Sequence, residues 1–287
     1  MIRLSALFIA LFTTVLLATP TQAHAFTPVA NTRFVNGATD GPVIYYGGPL
    51  LTSVKIYAVF WGAKVNANTQ TKMGAFYTAL TDSDYLDFLN QYSTPTIKIG
   101  RGTYVGSTVI KPKNVAKHLM QADVEAELLN QIDNGTLAKP DANSLYIIHF
   151  PPGIVINAFG GDSCQTWCGD HEAIKNNPKY GNIAYAMIPD LGGACSFGCY
   201  ADGTPLGSMT IVTSHEIAEA ITDPVSPGVN EPNAFPAGWI SAGQAEIGDL
   251  CVGGKSTLNT TSGNYTIQNE WDNSKNNCKS GSFKSAK

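Results

Sequence analysis

Apolar residues recur along the chain at two spacings, and the spacings divide it into elements. From Pro42 the segment PVIYYGGPLLTSVKIYAVFWG reads as two strands around a Gly-Gly-Pro turn. Val54, Ile56, Ala58 and Phe60 alternate with smaller or polar residues, the period of a half-buried strand. Between Asn68 and Tyr92 the spacing turns helical. Phe76, Tyr77 and Leu80, then Tyr85, Leu86 and Leu89, predict one or two amphipathic helices. TIKIGRGTYVG, from Thr96, is a further strand candidate, and Asp123 is expected to cap a helix running to about Ile132, with Gly135 just past its end. SLYIIHF is a compact central strand that Pro151-Pro152-Gly153 stops. Residues 151–207 are rich in Gly and Cys and offer one short strand, IAYAMI. Met209–Ile221 is the best buried-helix candidate, and GNYTIQNEWDN near the end reads as a strand beside a turn. Strands and helices are interspersed with no repeat or linker. The expectation is one domain of α/β or α+β class, a central sheet covered by helices.

The apolar helix is where chemistry enters. Its end, SHEIAEAITDP, carries His215, Glu216 and Glu219 and stops on Asp223. His-Glu opens the zinc-protease pattern His-Glu-x-x-His, but Glu stands in the place of the second His. On a helix His215 and Glu219 lie one turn apart on the same face, with Glu216 about 100° around. The neighbours Ile211, Val212, Ile217, Ala218 and Ile221 leave little room for a wet face. A buried carboxylate must be paired, protonated or metal-bound, since a lone one costs several kcal/mol. Pro224 ends the helix at Asp223, where a carboxylate meets the negative end of the helix dipole. Glu246 and Asp249 follow in AEIGDLC. The zincin-like reading makes His215 and Glu219 ligands, Glu246 a third ligand from a downstream loop, and Glu216 the general base. Asp223 and Asp249 are additional candidates. Zn²⁺ suits one His with carboxylates, and Ca²⁺ suits a carboxylate-dominated set. The alternative is a buried ion-pair network with no metal. His171, in SCQTWCGDHEAI, is either a ligand, a substrate contact or an exposed loop histidine; His149 reads as a core histidine, and His118 has no evident partner.

Composition narrows the setting. A basic start, an apolar run Leu4–Leu17 and ATPTQAHA form a secretory signal peptide, with cleavage after Ala23 or Ala25 and a domain from residue 26 to 287. The run is too short to span a bilayer, for which about 18–20 residues are needed. An exported protein, extracellular or periplasmic, is expected. Formal charge is −4, with no basic patch for nucleic acid. Six cysteines fit disulfides in an oxidising compartment better than a zinc knuckle. Cys251 and Cys278 flank the C-terminal strand candidate and are expected to pair. Cys164, Cys168, Cys195 and Cys199 then pair among themselves in an order the sequence leaves open. Asn134, Asn259 and Asn264 are glycosylation sequons.

YYGGPLLTSVKIYAVFWG resembles the opening of the Exordium-like, phosphate-induced family of secreted proteins, as do the two Cys-x3-Cys blocks with His after the first. The chain is more similar to the bacterial relatives, through HFPPG (His149–Gly153), Cys168 to His171, Ser214–Pro224, Ala245–Cys251 and Tyr265–Trp271. The resemblance spans nearly the whole mature chain. Bacterial members of this kind look like metallopeptidases through the His-Glu-x-x-Glu helix, which implies a zinc-dependent hydrolase acting on peptides or proteins. Plant members are associated with the cell wall and growth, and generally lack the His-Glu pair. They imply the rival reading, a non-enzymatic protein that binds an extracellular or cell-wall ligand around a structural ion.

Overall fold

A computed structural model describes residues 41–158, 160–199, 201–225 and 236–287. The signal-peptide expectation, residues 1–25, lies outside them. The main sheet has five strands: β1 (Lys55–Phe60), β2 (Thr103–Val109), β3 (Ser144–His149), β4 (Asp170–Asn177) and β5 (Gly181–Ile188), in the order β2-β1-β3-β5-β4. The first four in that order run parallel, and β4 returns antiparallel along the edge, with His171 opposite Ala186. Every residue of β3 is buried, as expected of a parallel strand covered on both faces.

Period two sorts the core into two halves. Ile56, Ala58, Phe60, Leu145, Ile147, Ala184 and Ala186 face the helices α1 (Ala67–Thr81) and α3 (Pro205–Thr222). Val59, Tyr146, Ile148, Tyr185 and Met187 face α2 (Gln121–Asp133). This is mixed α/β with helices on both sides of the sheet. Among the described residues no helix is long and apolar enough to cross a membrane.

Several expectations need correction. Asp123 is not the cap but the third residue of α2, and its carboxylate accepts the Met120 N–H at 2.8 Å. The strand expected from Thr96 begins only at Thr103. Residues 151–207 hold more than one strand, because β4 and two short pairings precede β5. α3 starts at Pro205, earlier than its apolar run. Thr204 caps it by accepting the Gly207 N–H at 3.0 Å, and Pro205 sits where its missing N–H costs nothing.

The C-terminal region continues as β6 (Lys255–Thr260), β7 (Gly263–Gln268), β8 (Glu270–Asp272) and β9 (Ser282–Lys284), in place of one strand near a turn. β7 lies along α3, fixed by Gln268 N–H to Ser214 Oγ at 2.9 Å and Thr210 Oγ1 to the Thr266 carbonyl at 2.7 Å. Cys251–Cys278 pair as expected, and the open choice among the other four resolves as Cys164–Cys195 and Cys168–Cys199. The latter two tie the segment before β4 to the segment before α3. Among the sequons, Asn134 and Asn264 are exposed, while the Asn259 amide donates to the Phe283 carbonyl at 2.9 Å.

Candidate metal centre

Three segments far apart in sequence meet on the α3 side of β4. The helix supplies His215, Glu216, Glu219 and Asp223, all fully buried. β4 supplies His171, also fully buried, because its register with Ala186 turns it toward α3. This excludes the exposed-loop reading of His171. The loop before Cys251 supplies Glu246, fully buried, and Asp249, whose side chain is 22% exposed and the most open of the group.

Glu219 is the hub. Its Oε1 accepts the backbone N–H groups of Gly248 at 3.1 Å and Asp249 at 3.0 Å. Its Oε2 lies 3.0 Å from His215 Nε2 and 3.7 Å from His171 Nδ1, yet has no hydrogen-bond donor. Glu216, about 100° around the helix, reaches both imidazoles: Oε2 is 3.3 Å from His171 Nδ1 and Oε1 is 4.0 Å from His215 Nε2. That Oε1 is buried without a donor. An added Cβ on Gly169 would meet it at 2.6 Å, so the bare Cα of Gly169 makes the room it occupies.

The histidines are oriented from behind. His171 Nε2 lies 3.1 Å from the Asp223 carbonyl and 3.5 Å from Glu246 Oε1. A carbonyl only accepts, so Nε2 carries a hydrogen. Nδ1 then either donates to Glu216 from an imidazolium or, in the neutral ring, offers its lone pair to a cation. A ring nitrogen held by a carbonyl with the other facing carboxylates is the common arrangement of a metal-ligating histidine. Glu246, expected as a third ligand beside His215 and Glu219, instead faces the Nε2 edge of His171. Asp223 acts at the helix end: its carbonyl holds His171 and its Oδ1 accepts the Gly238 N–H at 2.9 Å. His215 Nδ1 meets the Gln268 amide at 2.7 Å, and the same amide nitrogen donates to the Gly248 carbonyl at 2.8 Å. Gln268 Oε1 is buried without a donor. Turning the amide over gives that oxygen the Nδ1 hydrogen and bares Nε2 for a cation, at the loss of the bond to Gly248.

Electrostatics reflect the crowding of acids. Burial alone pushes His171 and His215 down, but the charges of Glu246 on the first and of Glu219 and Glu216 on the second more than offset it, so both stand well above the ordinary histidine range. Burial raises Glu216.

Two ligating groups result, each with its donor atoms within 4.8 Å of one another: His171, Glu216 and Glu219, and His215, Glu219 and Asp249. Donors on one tetrahedral ion with bonds of about 2.0–2.2 Å stand about 3.3–3.6 Å apart. The 3.3 and 3.7 Å separations in the first group match that spacing. The residues therefore fit a divalent ion.

Two members were missed from sequence. Gln268 ends an alternating strand, TIQ, and its period places it against the helix. Glu270 on β8 is buried, accepts the Tyr85 hydroxyl at 2.8 Å, and is raised well above the usual carboxylate range by burial. Of the other histidines, His149 is a core residue bonded to the Tyr77 hydroxyl at 2.6 Å, as expected, whereas exposed His118 does have a partner, Asp162 at 2.9 Å.

Compared with protein-family models, curated proteins and solved structures, the chain matches none of them.

Proposed function

We propose that the chain is an exported metal-dependent hydrolase, with peptide bonds as the favoured substrate and zinc as the favoured ion. The observation that carries this is a pair of fully buried carboxylate oxygens without donors, Glu216 Oε1 and Glu219 Oε2, set between two imidazoles. Imidazole nitrogens favour zinc over calcium, which takes oxygen ligands. His171 with Glu219, or His215 with Glu219 and Asp249, would hold the ion, and a zinc ion held there would supply Lewis-acid chemistry. Glu219 is fixed for this by the two N–H groups on its other oxygen, and His171 by the Asp223 carbonyl. Glu216 Oε1 receives the proton of the attacking water, the part of the general base. Peptide as substrate, and export, rest on the resemblance and the leader pattern; the three disulfides are compatible with an oxidising compartment.

The test is metal content of the purified protein with activity on a panel of unstructured peptides. Zinc should co-purify, chelation should abolish cleavage, and Glu216→Gln should lower activity by about 10²-fold or more while keeping the fold. Cleavage that survives complete metal removal would sink the proposal. Full burial of six of the seven site acids and histidines that α3, β4 and the Glu246 loop bring together favours a second reading, a binding protein with a structural ion. Tightly held metal with no cleavage of any peptide would support it.

A further inference from the structure

The donors around Glu219 outnumber what one ion can reach. An ion with bonds of about 2.0–2.2 Å spans donors no more than about 4.4 Å apart, so a cluster of that width is the reach of one ion. Here there are two clusters, each with its donor atoms within 4.8 Å of one another, close to that reach. His171 Nδ1, Glu216 and Glu219 form one; His215 Nε2, Glu219 and Asp249 form the other. They come from different segments, the first closed by β4 and the second by the loop before Cys251. We propose that the site binds two divalent cations, one in each cluster, with Glu219 as the shared ligand. This rests on the metal reading above and goes beyond it.

Three observations point to the pair. Glu219 Oε1 is already engaged by the Gly248 and Asp249 N–H groups, so only Oε2 is left to serve both clusters, and that atom is fully buried without a donor, 3.0 Å from one imidazole and 3.7 Å from the other. Glu216 joins the first cluster through Oε2, 3.3 Å from His171 Nδ1, and leaves its donor-free Oε1, 4.0 Å from His215 Nε2, for the proton of the attacking water. Asp249 Oδ1 stands 4.0 Å from His215 Nε2, and its Oδ2 accepts the Glu246 N–H at 3.2 Å, which aims the carboxylate into the second cluster. Three carboxylates also carry more negative charge than one divalent ion balances. Ions sharing one oxygen stand about 3.5–4 Å apart, the separation of two-metal hydrolytic sites. The second cluster contains the most open member, half-buried Asp249, so it is the one that exchanges its ion more readily.

The experiment is metal stoichiometry on the whole purified chain. Protein dialysed against excess Zn²⁺ and then desalted is measured by elemental mass spectrometry and by native mass spectrometry, with a parallel Mn²⁺ sample. Two ions per chain are expected with at least one of the two metals, and Asp249→Asn should carry one, with far-ultraviolet circular dichroism unchanged. One ion in wild type with both metals overturns the second site and leaves the proposed hydrolase standing. No ion with either metal overturns both. Two ions retained by folded Asp249→Asn overturns the assignment of Asp249. If that variant does not fold, the wild-type stoichiometry alone decides between one ion and two.

Discussion

Gly248→Ala tests whether the Glu246 loop is seated on α3 as described. Gly248 has φ −80° and ψ −40°, a conformation any residue adopts, so the backbone itself does not resist alanine. The obstacle is space. A Cβ there would stand 2.5 Å from His215 Nδ1 and 2.9 Å from Glu219 Oε1, with protein on the far side of both. The loop must retreat by about an ångström to reach ordinary contact, at about 3.5 Å. That breaks the Gly248 and Asp249 bonds to Glu219 Oε1 and pulls the Gly248 carbonyl from Gln268. Bonds to a charged, buried carboxylate contribute about 1.5–3 kcal/mol each. Alanine returns about 0.4–1 kcal/mol by restricting the unfolded chain. Partial relaxation leaves a net loss of about 2–4 kcal/mol, a fall in Tm of about 5–15 °C for a chain of this size. Thermal unfolding followed by circular dichroism, on metal-stripped protein, isolates this from any loss of metal. A Tm equal to or above that of wild type would refute the packing of this loop on His215.

Gly169→Ala should displace Glu216, since its Cβ would meet Val212 Cγ1 at 2.4 Å and Glu216 Oε1 at 2.6 Å. Bound metal per chain should fall, and a variant with full metal content and wild-type Tm would contradict the placement of Glu216. His149 is fully buried, and burial lowers its pKa to about 3, against about 6.5 in the unfolded chain. The unfolded chain therefore takes up this proton first, so this contribution to stability is whole above pH 6.5 and declines toward pH 3, by about 2–3 kcal/mol at pH 4.5. Denaturant unfolding of wild type and His149→Gln at pH 7 and 4.5 should show the variant losing less; an equal loss would exclude His149 as the source. Removing the Cys168–Cys199 bond, which spans 31 residues, by Cys168→Ser with Cys199→Ser should cost about 2–4 kcal/mol. Cys168 is three residues from His171, so metal affinity should fall with it, and unaltered affinity would show that β4 holds His171 unaided.

The central strands and the chemistry-bearing helix were legible because their patterns are strong and local. SLYIIHF reads as a compact central strand, and the apolar neighbours in SHEIAEAITDP leave little room for a wet face around its acids. What failed was local chemistry overridden by a neighbour. Asp123 looked like a cap because Asp often is one, but it sits at the third helical position, where its carboxylate reaches back to accept the N–H of the cap residue Met120. β4 was unreadable because its inward and outward positions are both polar: Asp170, His171 and Glu172 are all buried, so no apolar period remains to detect. Its alternation became meaningful only once β5 supplied a register. The order of the four clustered cysteines was open for the same reason, since it depends on how the segment before β4 meets the segment before α3.

The replacement of the second histidine by Glu219 then has a physical account. An imidazole at that position has one nitrogen to face the cluster and one to turn away, and the neutral ring accepts at only one of them. Glu219 has two oxygens that both accept. One takes the Gly248 and Asp249 N–H groups, which close the loop over the helix; the other stays bare toward His215 and His171. A histidine there would leave two buried N–H groups without acceptors, a cost of about 1–3 kcal/mol each. The second imidazole of the site comes from β4 instead, 44 residues earlier in the sequence than His215, and the sheet register delivers it. The His-Glu-x-x-Glu helix of this chain is thus half of a site whose other half is carried on a strand and a loop, and the carboxylate at 219 is the residue that joins the three.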